Sequence, residues 1–104
     1  MNARSLQEIR ADNPVPDQAE YAHAYSQADL AGRLAEMVYS IRTGVGLTQS
    51  ELARRMGTTQ SSIARLEGAA HVPTLDLLMR LGTATGTPIV ISTALGHRIE
   101  LNSA

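Results

Sequence analysis

Residues 46–68, GLTQSELARRMGTTQSSIARLEG, decide the architecture. Thr48, Gln49, Ser50 and Glu51 form a capping box. The threonine hydroxyl can accept from the amide three residues on while the glutamate reaches back, so a helix starts there. Leu52 and Met56 then face inward, one turn apart. Gly57 supplies the positive φ of a tight helix exit. Thr59 can cap a second short helix that runs through Ile63 to Glu67 and that Gly68 ends. Ala53 is small enough for the two helices to approach closely, and Ile63 anchors the second in the core.

The flanks are read by the same rules. Residues 1–12 suggest a short helix around Leu6 and Ile9, stopped by Asn13-Pro14-Val15-Pro16, where each proline removes a donor and restricts its predecessor. Asp17 can cap the next helix. From Gln18 to Arg42 no proline intervenes, and one long helix is expected, with Gly32 as a possible break. At about 100° per residue, Leu30, Leu34, Met37 and Ile41 share one face, expected to close the core. Tyr21, Tyr25, Ala28, Gly32, Ala35 and Tyr39 share nearly the opposite face, which implies a second neighbour for this helix or a break before Leu30. Pro73 and Thr74 start a further helix with Leu75, Leu78, Met79 and Leu81 as its apolar positions, expected to fray from Gly82 to Gly86. Beyond it the period changes to two. Ile89, Ile91, Thr93 and Leu95 alternate, as do Ile99 and Leu101, on either side of Gly96-His97, which suits the two-residue loop of a type II′ hairpin. A lone hairpin is marginal in water and its edges are sticky, so it either pairs with the hairpin of a second chain or folds over its own helices.

Composition limits the alternatives. The chain has 104 residues, formal net charge −1 and no cysteine. With only His23, His71 and His97, widely spaced, neither a disulfide framework nor a Cys/His zinc site can be built, and no metal or cofactor is expected. No run of 18 apolar residues exists, and Met1 to Ser5 lack the apolar core of a signal peptide, so a cytoplasmic protein is expected. Residues 1–29 carry Arg4 and Arg10 against Glu8, Asp12, Asp17, Glu20 and Asp29, while the remainder carries seven arginines against five carboxylates. An acidic arm thus precedes a mildly basic body. All basic residues are arginine, which either serves bidentate phosphate and base contacts or reflects codon bias. Charge alone does not establish nucleic-acid binding.

The quoted stretch resembles the Cro/phage-repressor, or Xre, type of helix-turn-helix in its Gly-Leu-Thr-Gln opening, Glu-Leu-Ala, turn glycine and Ser-Ile…Leu-Glu run. The resemblance covers residues 30–86 and implies a mainly α helix-turn-helix bundle there, which the reading of the flanks completes with a helical N-terminal arm (1–29) and a C-terminal β element (87–104) expected to serve in dimerisation. It also implies roles. Gln49 would contact phosphate near a helix N-terminus. Gln60, Ser61, Ser62 and Arg65 would face the major groove, Gln60 reading adenine and Arg65 guanine. Thr59 would be a cap first and a phosphate contact second. Arg42 and Glu67 match the family's buried ion pair, with a surface salt bridge as the alternative. Arg54 and Arg55 are either phosphate neighbours or solvated surface. Ala69-Ala70-His71 departs from the Lys/Arg-rich loop often found there, which makes dimerisation more important for affinity.

The surroundings narrow the resemblance to the HigA-type antitoxins of type II toxin-antitoxin systems. Those proteins repress their own operon as dimers and neutralise a small basic RelE/HigB-like ribonuclease toxin. The acidic arm and the Tyr21/Tyr25/Tyr39 stripe would suit such a partner. A stand-alone repressor of an inverted-repeat operator is the alternative. An adaptor that does not bind DNA is disfavoured by Gln60 and Arg65, which stand where base readers belong. An enzyme is not expected. Ser61, Ser62 and the histidines lack base-and-orienter spacing, and there is no glycine-rich phosphate loop.

Overall fold

The computed structural model describes residues 17–102. The short helix expected around Leu6 and Ile9, and its stop at Asn13 to Pro16, lie outside them. Four helices are followed by a two-stranded antiparallel hairpin: α1 (Gln18–Gly44), α2 (Gln49–Met56), α3 (Gln60–Glu67), α4 (Leu75–Thr85), β1 (Val90–Ser92) and β2 (Arg98–Glu100). This is the mainly α architecture expected, and no described helix is long and apolar enough to cross a membrane. The start signals act as chemistry dictates. Asp17 and Glu20 form a capping box for α1, Thr48 and Glu51 one for α2, and Thr59 and Thr74 cap α3 and α4.

The helix α1 runs without a break across Gly32, so the division at residue 29 falls inside it. Its buried face differs from the expected one. Ala31, Ala35 and Val38 are buried, Met37 and Ile41 flank the core, and Leu30 is exposed. The true seam runs between the leucine stripe and the tyrosine stripe and takes only Ala35 from the latter, and its small residues let α1 approach its neighbours. Val38 joins Leu47, Leu52, Ala53, Met56, Ile63, Leu66, Leu78, Leu81 and Ile89 in one core. Fully burying a leucine or isoleucine contributes about 1.5–3 kcal/mol, so Leu52, Ile63, Leu66 and Leu81, all inaccessible, dominate it.

Two further expectations are corrected. The helix α4 does not fray at Gly82 but continues to a left-handed cap at Gly86. Gly82 is buried, and a Cβ there would collide with the side chain of Asn102. That carboxamide donates to Met79 O at 2.6 Å and Thr83 Oγ1 at 3.0 Å, and accepts from Ile89 N at 3.0 Å. It ties the base of the hairpin to α4. Of the apolar positions named in α4, Leu78 and Leu81 are buried, whereas Leu75 and Met79 are exposed.

The hairpin turn is not the two-residue Gly96-His97 loop. Ile91 pairs with Ile99, Val90 with Glu100 and Ser92 with Arg98. Thr93 N donates to His97 O at 3.0 Å and Gly96 N to Thr93 O at 3.1 Å, leaving Ala94, Leu95 and Gly96 as a three-residue loop with Gly96 at φ +97°. The register explains the choice. It aligns Ile91 with Ile99 and, two pairs inward, Ile89 with Leu101, keeping the isoleucines on one face. A Gly96-His97 loop would set Ile99 against Ala94.

Candidate nucleic-acid interface

The helices α2 and α3 meet through the turn at Gly57, whose φ is +70°. Thr58 N donates to Ala53 O at 2.9 Å and Gly57 N to Arg54 O at 3.2 Å, closing the last turn of α2 before the chain reverses into α3. Ile63 and Leu66 point into the core, which leaves Ser61 and Arg65, four residues apart, on the outward face of α3. Thr59, Gln60 and Ser62 are also exposed. Thr59 Oγ1 accepts from Ser62 N at 3.1 Å and bonds the Ser62 hydroxyl at 2.9 Å, so its cap position occupies it as well as the serine.

A chain of hydrogen bonds runs from the interior to this face. Arg42 Nε donates to Glu67 Oε2 at 2.6 Å and Arg42 Nη2 to Glu67 Oε1 at 2.9 Å, a two-pronged pair whose side chains are only 12% and 6% exposed. It is therefore a part-buried pair rather than an exposed surface bridge. Arg42 Nη1 also donates to Leu47 O at 2.8 Å, and its guanidinium lies 5.3 Å from the centroid of the Tyr39 ring. The hydrogen bond to Glu67 raises the Arg42 pKa above its ordinary value. Gln49 Nε2 donates to Glu67 Oε1 at 3.2 Å, and Gln60 Nε2 donates to Gln49 Oε1 at 2.8 Å.

This order is directional. A carboxylate only accepts, so Glu67 obliges Gln49 to present its amino group, which turns the Gln49 carbonyl toward Gln60. Gln60 must then offer one N–H to Gln49 and keeps its carbonyl oxygen and second N–H. One acceptor beside one donor is the pattern that matches adenine N6 and N7. Gln49 keeps one N–H at the start of α2, where the helix dipole favours an anion. The structure thus brings Gln49, Gln60, Arg42 and Glu67 into one network, with Ser61 and Arg65 beside it. Tyr21, Tyr25 and Tyr39 stay on α1, exposed, Tyr39 partly engaged by Arg42.

The Helix-turn-helix family model matches residues 38–91, half of the chain. The chain belongs to this family. An uncharacterized HTH-type transcriptional regulator of Methanothermobacter thermautotrophicus is 44% identical over 45 residues, which make up 43% of this chain and 65% of that relative. The chain thus spans just under two thirds of the length of this family relative. No solved structure matches. Within the family frame, sequence reasoning treated Gln49 and Gln60 as separate contacts and missed their link. Asn102 went unnoticed because nothing in a two-residue period marks a polar residue that binds a distant helix. Gly68 caps α3 as the sequence suggests, and the left-handed residue comes one position later, Ala69 at φ +59°. Gly68 itself has φ −86°.

Proposed function

We propose that the protein is a transcriptional repressor that binds double-stranded operator DNA as a homodimer, with α3 in the major groove. The observation that carries this reading is the Arg42–Glu67–Gln49–Gln60 chain, which fixes the donor and acceptor edge of Gln60 beside the outward Ser61 and Arg65. In this reading Gln60 and Arg65 read base edges, Ser61 and Ser62 are short permissive readers, and Gln49 and Thr59 contact phosphate. Selection of duplexes from a random pool by the full chain tests it. The expected product is an inverted repeat with half-sites about one turn, or about 34–36 Å, apart. A pool that stays random overturns it.

A second activity, that of an antitoxin against a small basic RelE/HigB-like ribonuclease, is supported by the first half of α1. Every residue from 18 to 30 is exposed, with Tyr21 and Tyr25 on one face and Glu20 and Asp29 among them. Tyrosines present an apolar body with a polar tip, and carboxylates steer a basic partner. Recovery of the native chain from its own cells, with identification of any stoichiometric companion, tests this. A small basic protein that is toxic alone and harmless beside this chain establishes the antitoxin reading. Tyr21→Ala/Tyr25→Ala then loses neutralisation while keeping DNA binding. A chain recovered without any protein companion leaves the stand-alone repressor.

A further inference from the structure

The hairpin projects from the domain with both edges unpaired among the described residues, and only its base is anchored. Hydrogen bonds between directly opposed residues alternate along an antiparallel ladder. Leu101 N donates to Ile89 O at 2.8 Å and Thr93 N to His97 O at 3.0 Å, so Ile99 also turns its backbone toward β1. Arg98 and Glu100 consequently direct their N–H and C=O groups to the free edge of β2. Their side chains share one face, and within the chain they make only a loose 3.4 Å contact.

We propose that the free edge of β2 is the dimer seam, joined to β2 of a second copy about a two-fold axis at Ile99. This rests on the homodimer proposed above and adds its surface and register. Opposed residues in an antiparallel pair belong to the same hydrogen-bonding class, so within β2 the axis can pass only through residue 98, 99 or 100. An axis at 98 opposes arginine to arginine, and one at 100 opposes glutamate to glutamate. An axis at Ile99 sets Arg98 against Glu100 of the partner subunit twice, each pair exchanging two backbone hydrogen bonds. It also extends the Ile91–Ile99 row into its symmetry mate on one face. The β1 edge offers Val90 and Ser92, with no charge to set a register. The Arg-Ile-Glu triplet is thus complementary to itself, as a two-fold contact requires.

The chain has no cysteine, so single replacements report directly. Directly opposed Cα atoms of a non-hydrogen-bonded pair lie about 4.5 Å apart, within disulfide reach. Ile99 is 61% exposed, and its replacement leaves the core intact. Oxidised Ile99→Cys is expected to run as a covalent dimer and Ile91→Cys as a monomer. Arg98→Glu and Glu100→Arg are each expected to weaken self-association. Mixing the two is expected to restore it by about tenfold, because like-charge oppositions become opposite-charge ones; a role confined to one chain gains nothing on mixing. An unmodified chain that sediments as a dimer while Ile99→Cys fails to cross-link overturns the β2 seam and leaves the dimer standing. A chain that sediments as a monomer up to high concentration overturns both.

Discussion

Arg42 grips Glu67 through two parallel hydrogen bonds across 25 residues of sequence, joining the last turn of α1 to the last residue of α3. The pair sets where α3 sits on the domain, and through Gln49 it sets how Gln60 faces outward. Arg42→Ala leaves the part-buried Glu67 carboxylate without its cation and is expected to cost about 1–3 kcal/mol, read by urea unfolding. Arg42→Met with Glu67→Leu is expected to recover most of that. The double variant separates stability from orientation. It should fold well and yet discriminate poorly at the base pair assigned to Gln60, because nothing then dictates which end of the Gln49 amide faces it.

Arg65 projects from the outward face of α3 without an acidic partner among the described residues. In the proposed complex it reads guanine. Arg65→Ala is expected to cost about 1–3 kcal/mol in operator affinity and to relax preference at one base pair in each half-site. Titrating the variant against single-base operator variants gives the answer, and equal weakening on every sequence would reduce Arg65 to a phosphate contact.

The parts of this fold that were legible in the sequence are those fixed locally. Thr48 and Glu51, Gly57, and Thr59 each act within four residues, and the structure has them as the sequence implies. The buried face of α1 was not legible. Its leucines and tyrosines form two strong stripes, but packing selected Ala31 and Val38 between them together with Ala35 from the edge of the tyrosine stripe, because alanines allow close approach. The hairpin turn failed for a related reason. Gly96-His97 satisfies the local turn rule, yet pairing Ile91 with Ile99 outweighs it. At the candidate interface the individual residues could be named only through the resemblance of residues 46–68 to the family, whereas the link from Gln49 to Gln60 depends on how α2 crosses α3.

The capping box of α2 makes stability depend on pH. Hydrogen bonds from the Thr48 backbone and side chain hold the Glu51 carboxyl below its ordinary value of 4.5. A carboxyl depressed on folding stabilises the native state above its unfolded pKa, and that stabilisation disappears as pH falls through the folded value. Glu51→Gln keeps a capping residue that does not titrate. The stability advantage of the parent over this variant is expected at pH 6 and should disappear as pH falls below the lowered carboxyl pKa, as measured by denaturant titration across the acid range.

Ala69 holds a left-handed conformation that a Cβ disfavours by about 1–2 kcal/mol. The chain accepts it because Ala70 N donates to Arg65 O at 3.0 Å and Ala69 N to Leu66 O at 3.2 Å, satisfying the last carbonyls of α3. Ala69→Gly relieves the strain and adds freedom to the unfolded chain, so a net gain of about 1 kcal/mol is expected. An unchanged or lower urea midpoint would show that the helix exit is not strained.

Among the described glycines, Gly82 is the one where an added Cβ would collide with a side chain, that of Asn102. Alanine in the middle of a helix is normally favoured over glycine by about 1 kcal/mol, so Gly82→Ala would stabilise α4 if nothing lay against it. Asn102 does lie against it, with a Cβ at position 82 meeting the carboxamide that binds Met79 O, Thr83 Oγ1 and Ile89 N. Gly82→Ala alone is therefore expected to destabilise by about 1–3 kcal/mol and to loosen the hairpin from α4. Asn102→Ala alone removes three hydrogen bonds and is destabilising as well. Combined, the two should be less damaging than their sum, because removing the carboxamide removes the collision with the added methyl and the helix keeps its propensity gain. A double-mutant cycle measures that coupling. Simple additivity would mean that Asn102 yields without cost and that the base of the hairpin is held by Ile89 and Leu101 alone.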